Sequence, residues 1–486
     1  MTTNTIELSD IQGLVTRGFG TLPAACYLLL SIQDSHKSLP WLRDLAGQVT
    51  YADIRPNECA FNLAFTYHGL AKLGLEQSTL DSFSDEFRSG MNTPHKRHIL
   101  GDEGENAPEN WLWGGPATKQ IDVLLLCYAK DEATLNTFIN RLKIGMTEQG
   151  LKLIERLGAE SLKDNKEHFG FRDSIGQPYF AEFNSNKPEK PDSVPLGEIL
   201  LGYPNGYERY TQRPLVSAEQ DPHNLLATSH ENDSLHDFGL NGTYLVFRQL
   251  FQDVPAFWNS LNQLANDEDL SANINPATKT DRTISLAAKM VGRWPSGTAL
   301  VQSTEQDDPS IIDRDDFTYH ATDPDGLKCP LGAHIRRTNP RDSLEPEPGS
   351  DKSIAFSNRH RILRRGRAYG SPLDSSMDPV QFIEKIDKEK APAARGLHFI
   401  CLNANIGRQF EFVQHTWANN PNFNGLYQDP DPIIGARSIN GLHQDQFTIQ
   451  NTPSRLKVCA LPSFVQTRGG SYFFLPSRRA LSYLLS

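Results

Sequence analysis

The feature that most narrows the fold is a series of strand-length apolar runs, each followed by residues spaced for a helix. AACYLLLSI (24–32) is such a run, and WLRDLAGQV (41–49) behind it spaces its apolar residues helically. FNLAFTYHGLAKLGL (61–75) reads as a strand running into a helix. IDVLLLCYAKDEATLNTFINRLK (121–143) repeats that order, and LKLIERLG (151–158) supplies a further strand. The order is β-α-β-β-α-β, the ferredoxin-like unit. The second half has the same grammar in TYLVFRQLFQDVPAFWNSLNQLA (243–265), where Asp253 and Pro255 suit a helix start, and again in GLHFICLNANIGRQFEFVQHTW (396–417) and GGSYFFLPSRRALSYLL (469–485). The expectation is an α+β fold of two ferredoxin-like units with antiparallel sheets, one domain over 1–235 and one over 236–486. Polar tracts at 183–238, 305–328 and 340–358 are long for plain connections, and loops of that length are usually functional or disordered.

A chain of 486 residues can bury a large ligand. Its 48 Lys+Arg against 59 Asp+Glu give a formal net charge of -11, which argues against a general nucleic-acid binder and against attraction to an anionic membrane. The six cysteines are far apart with no CxxC pair, so neither a zinc site nor a disulfide framework is suggested. MTTNTIELSD lacks a basic segment before an apolar core, and the longest apolar runs are strand-length rather than membrane-spanning. A cytoplasmic location is the expectation.

CPLGAHIRRTNPRD (329–342) sets one histidine, His334, among small residues and arginines. A lone histidine is most often a satisfied core or surface residue. Here Gly332 and Ala333 leave room for a bulky group to approach the imidazole, while Arg336, Arg337 and Arg341 could pair with carboxylates of a ligand. A flat ligand with a metal centre and acid side chains would satisfy both.

That segment resembles the proximal-histidine segment of the dye-decolorising peroxidases. Further segments resemble the same family in the family's order: DIQGLVTRGFG (10–20), GFRDSIGQP (170–178), MVGRWPSGT (290–298), ILRRGRAYG (362–370), RGLHFICLNANIGRQFEFVQ (395–414), DPIIG (431–435) and SYFFLP (471–476). The resemblance implies a dimeric α+β barrel-like fold with haem b in the C-terminal unit and His334 as the iron ligand. It also implies an enzyme that reduces hydrogen peroxide and oxidises dyes, phenolics or similar aromatic donors through a ferryl-oxo porphyrin radical. A haem-binding or haem-handling protein without peroxide turnover is the alternative. Neither nucleic acid nor membrane is an implied partner, and a homo-oligomer stays open.

The resemblance also carries residue roles. GFRDSIGQP matches the family's GxxDG motif and gives Asp173 as the proton shuttle on the distal face, with Ser174 where the motif ends in glycine. Taken locally, Asp-Ser beside Gly and Pro is an ordinary turn composition. ILRRGRAYG gives Arg364, rather than Arg365 or Arg367, as the fixed charge opposite the leaving oxygen, although such a run is otherwise a basic surface. DPIIG gives Asp431 as the carboxylate behind His334; alone, it reads as a loop residue. Arg341 follows as a propionate partner, and Leu397 and Phe399 as the apolar distal wall, residues that otherwise read as strand core. Trp111, Trp113 and Trp417 are compositional candidates for passing electrons to bulky donors.

Overall fold

The computed structural model describes residues 6–184, 193–267, 278–312, 314–386, 393–439 and 441–486. Four strands come from the first half: β1 (Ala24–Ile32), β2 (Cys59–Phe65), β3 (Val123–Ala129) and β4 (Leu151–Glu160). They lie in the order β4-β1-β3-β2, all antiparallel. Helices α1 (Ser35–Ala46) and α2 (Glu132–Lys143) follow β1 and β3, as the apolar spacing predicts. The second half supplies β5 (Thr243–Gln252), β6 (Leu363–Arg364), β7 (Arg367–Tyr369), β8 (Gly396–Asn403) and β9 (Val465–Leu475). Their order is β9-β5-β8 with β6 and β7 both on the outer side of β8, so each half has the ferredoxin-like arrangement.

The two sheets are one. Phe65 of β2 pairs with Phe474 of β9, and Ala368 of β7 pairs with Glu160 of β4, so the strands close into a ring. Closure explains why β1 and β3 read as unbroken apolar runs rather than alternating ones, since both faces are covered. Tyr27, Tyr128, Phe247 and Ile400 belong to the core on one face, whereas Leu28, Leu125 and Phe61 pack with α1 and α2 residues such as Leu45 and Phe138 on the other.

The sequence reading did not identify β6 and β7 as strands. They flank Arg365-Gly366 and together pair only five residues with β8, and their arginines mask the strand signal. The expected domain boundary at 235/236 falls inside Leu235–Asp237, the middle strand of a small three-stranded sheet with Leu215–Ser217 and Ala227–Thr228. The helical layer beneath the second sheet comprises α3 (Val254–Leu264) and α4 (Lys279–Val291), with Asp253 and Pro255 at the α3 start as expected. Val291, at the end of α4, reaches the cavity that holds the site.

Candidate active site

A cavity of about 1460 Å³, counting the space at its mouth, opens against one face of the second sheet. Leu250 and Gln252 of β5, Leu397 and Phe399 of β8, and Val465 and Thr467 of β9 line it. Each pair is two residues apart, as one face of a strand requires. The rest of the wall includes His334 and Ile335 on the short helix α5 (His334–Thr338), Ile433 and Ile434, the loop carrying Glu167 and Asp173, and Arg364.

Helix α5 is fixed by the arginines beside the histidine. Arg336 is fully buried, donating to Asp323 Oδ2 at 3.0 Å and to the Cys329 carbonyl at 2.8 Å, over the ring of Tyr319. Arg337, also fully buried, donates to the carbonyls of Gly332, Trp417, Asn420 and Asp429. Neither is available to a ligand's carboxylate, which corrects the expectation drawn from their nearness to His334. Burial demands that each guanidinium find protein acceptors, and these two tie α5 to the loops behind it. The next glycine contact is tight. Gly292 ends α4 at φ +94°, and a Cβ there would lie 2.4 Å from Ile335, so α4 and α5 approach only because this residue is glycine.

His334 Nδ1 lies 2.8 Å from Asp431 Oδ2. Asp431 is wholly buried, and its Oδ1 accepts from the N–H groups of Ile433 at 2.8 Å and Ile434 at 3.0 Å. Burial pulls the Asp431 carboxyl upward, but the His334 ring, the Ile434 N–H and the Arg337 charge outweigh it and hold the group below the ordinary carboxylate range. Asp431 is therefore an anion aimed at Nδ1, and Nε2 is the ring nitrogen left for a ligand.

Asp173 and Arg364 come together from different halves of the chain, with Asp173 Oδ1 3.6 Å from Arg364 Nη2. The backbone of Arg364 is clamped by Gln177, whose Oε1 accepts from its N–H at 3.1 Å and whose Nε2 donates to its carbonyl at 3.3 Å. Arg364 Nη2 also donates to the Ile175 carbonyl at 2.6 Å. Ser174 sits at φ +67°, and its N–H donates to Asp173 Oδ1 at 2.6 Å, so the loop takes the left-handed turn despite serine. Arg365 and Arg367 point away, to carbonyls of Leu14, Val15, Phe19 and Leu22.

Arg341 is not on this cavity. It lines an adjoining one of about 550 Å³, again counting the space at its mouth, together with Arg293, Arg361 and Arg364. Trp111, Trp113 and Trp417 are buried, at 4, 0 and 3 % exposure, so none is a surface residue in the isolated chain. Arg293 and Glu167 are among the cavity residues that nothing in the sequence singled out. Arg293 lies inside a quoted segment but has no local mark of function. Glu167 also has none; burial pushes its carboxyl up to about 7 against hydrogen bonds from Phe169, Gln252 and Phe171.

The donor set offers one imidazole. Among the described residues no group of three or more His, Cys, Asp or Glu side chains could hold a metal ion. A metal that brings a macrocycle of its own needs only one protein ligand, and the apolar face of Leu250, Leu397 and Phe399 suits a flat ring. The residues present fit haem.

No protein-family model matches the chain. It is 31 % identical over 452 residues to a dye-decolorizing peroxidase of Mycena epipterygia, covering 87 % of this chain and 75 % of that one. It is 30 % identical over 515 residues to Peroxidase 2 of Mycetinis scorodonius, covering 99 % and 88 %. The solved structure of a decolorizing peroxidase from Auricularia auricula-judae superposes with a TM-score of 0.75 at 25 % identity, over 99 % of this chain and all of that one. Fold and relatives together define an oxidoreductase of the peroxidase class. The chain belongs to the dye-decolorising peroxidase family.

Proposed function

We propose that the chain binds haem b through His334 Nε2 and reduces hydrogen peroxide while oxidising dyes, phenolics or similar aromatic donors, in the cytoplasm. Asp431 fixes the imidazole tautomer and lends the ligand anionic character. Leu397 and Phe399 form the apolar wall over the ring, and Arg341 faces its acid side chains. Haem bound here would supply the redox chemistry that couples two-electron reduction of peroxide to one-electron oxidation of donors.

Asp173 moves the proton. Its Oδ1 is engaged by the Ser174 N–H and faces Arg364, so Oδ2 is the oxygen that takes a proton from peroxide and hands it to the departing oxygen. Arg364 holds a permanent positive charge where negative charge develops on that oxygen. What supports the reading is one cavity lined by both the Asp431-backed His334 and the Asp173–Arg364 pair. The second pair favours an enzyme over a haem carrier.

The test is the absorption spectrum of the haem-loaded protein before and after one equivalent of peroxide, with His334→Ala beside it. The wild type should show a Soret band that shifts on mixing, and His334→Ala should fold with little or no haem. Full haem content and an unchanged spectrum in His334→Ala would exclude the axial role, and a Soret band indifferent to peroxide would exclude the enzyme.

A further inference from the structure

The smaller cavity carries an unassigned feature. Its lining holds four arginines, Arg293, Arg341, Arg361 and Arg364, and no acidic residue. Like charges gathered at a part-buried wall repel one another and tend to splay into solvent unless something holds them. Asp315 does so from behind the lining. Its Oδ1 accepts from Arg341 Nη2 at 2.7 Å and from Arg293 Nη2 at 2.6 Å, while its backbone carbonyl accepts from Arg341 Nη1 at 3.0 Å. Arg341 Nη1 also donates to the Phe317 carbonyl at 2.9 Å, and its guanidinium lies 3.9 Å from the centre of the Phe317 ring. Arg293 Nη1 donates to the Gly297 carbonyl at 2.9 Å.

One carboxylate thus bridges two guanidinium groups, and one backbone segment, 315–317, fixes the plane of Arg341. A guanidinium carries more N–H groups than these contacts use, so both arginines keep donors for a further acceptor. Just past this segment the chain is anchored by the Tyr319 N–H, which donates to Asp342 Oδ1 at 2.8 Å. The wall shared by the two cavities includes Arg293, Arg364, Ile175 and Ile335. A carboxylate reaching out of the large cavity therefore meets an arginine wall already aligned.

We propose that Asp315 is a positioning residue for cofactor binding, holding Arg341 and Arg293 as a preformed seat for the acid side chains of the haem. It acts through the arginines and touches no ligand. The proposal rests on the haem reading above. Preorganisation of this kind lowers the ordering cost of binding, so its removal appears chiefly as faster release.

The measurement is the rate at which haem leaves the loaded enzyme to an excess of a haem-scavenging protein. It is made for wild type, Asp315→Asn and Asp315→Ala, each loaded with haem or with haem dimethyl ester, whose acid groups are masked. Asp315→Asn should release haem about tenfold faster than wild type and release the ester at the wild-type rate. Equal release of haem from wild type and Asp315→Asn would overturn the proposal, as would slower release from the variant, the mark of a carboxylate that competes with the cofactor. Equal acceleration for haem and ester would also overturn it, since that is a loss of general structure. If Asp315→Asn fails to fold, Asp315→Ala with the same pair of ligands decides. Wild type that holds haem and ester equally would instead remove the acid-seat reading of Arg341.

Discussion

Ser174 holds φ +67° in the turn that presents Asp173, a conformation that costs a residue bearing a Cβ about 1–2 kcal/mol. Glycine avoids that cost but loses more chain entropy on folding, by about 0.5–1 kcal/mol. Ser174→Gly should therefore raise the unfolding free energy by about 0.5–1 kcal/mol in chemical denaturation, with the peroxide reaction intact. Asp173 and Arg364 differ in replaceability, because a water can pass a proton but cannot carry a guanidinium's charge. Arg364→Leu should slow the Soret shift on stopped-flow mixing with peroxide by about 10²–10³-fold, more than Asp173→Asn does at neutral pH, with haem content unchanged in both. Glu167 is ruled by burial, which pushes its carboxyl from 4.5 up to about 7 in the fold. Between those values the folded chain holds a proton that the unfolded chain has lost, so this group's contribution to stability falls as pH rises. From about pH 5 to about pH 8 the wild type should lose about 1–3 kcal/mol of unfolding free energy relative to Glu167→Gln, read from denaturation curves at each pH. No local pattern marks Glu167, since its significance comes from what covers it. By contrast, His334 and Asp173 were legible through segments that resemble the family's motifs, since Asp173 taken locally reads as an ordinary turn residue.

At the scale of elements, legibility followed length and apolarity. The long strands β1, β3, β5, β8 and β9 and the helices behind them were readable from their apolar runs, which are unbroken in β1 and β3, where both faces are covered. The pair β6 and β7 was not, because it is short and arginine-bearing, and its place depends on partners far along the chain, with Ala368 pairing both Leu397 and Glu160. The arginines of α5 were misread for a related reason. Proximity in sequence cannot say that Arg336 and Arg337 turn inward, and only the tertiary carbonyls they meet decide it. Close approach of β8 to β5 rests on Gly396, where a Cβ would lie 1.9 Å from the Leu250 carbonyl oxygen. Backbone cannot yield as a side chain can, so Gly396→Ala should cost about 1–3 kcal/mol or more and lower the melting temperature, with Leu397 displaced from the cavity wall. A melting temperature within a degree or so of wild type would show that the two strands can part without cost.

Over the whole molecule, the ring is joined at two narrow seams, each a single paired residue, while the pairings within each half are extensive. The interior core spans both, since Tyr27, Tyr128 and Leu157 share it with Phe247, Ile400 and Phe473. Two ferredoxin-like units were legible in the sequence; their merger into one sheet was not, because no local signal records which edges will meet. The cavity inherits this division. His334 and Arg364 come from the second half, Asp173 comes from the first, and Gln177 and Ile175 of the first half grip Arg364 of the second. The chain is thereby a ready-made coincidence detector. Divided after the Asp173 loop and before β5, it would give one fragment with Asp173 and another with His334 and Arg364. Fused to two proteins of interest, they would place all three groups in one cavity only where those proteins bring them together.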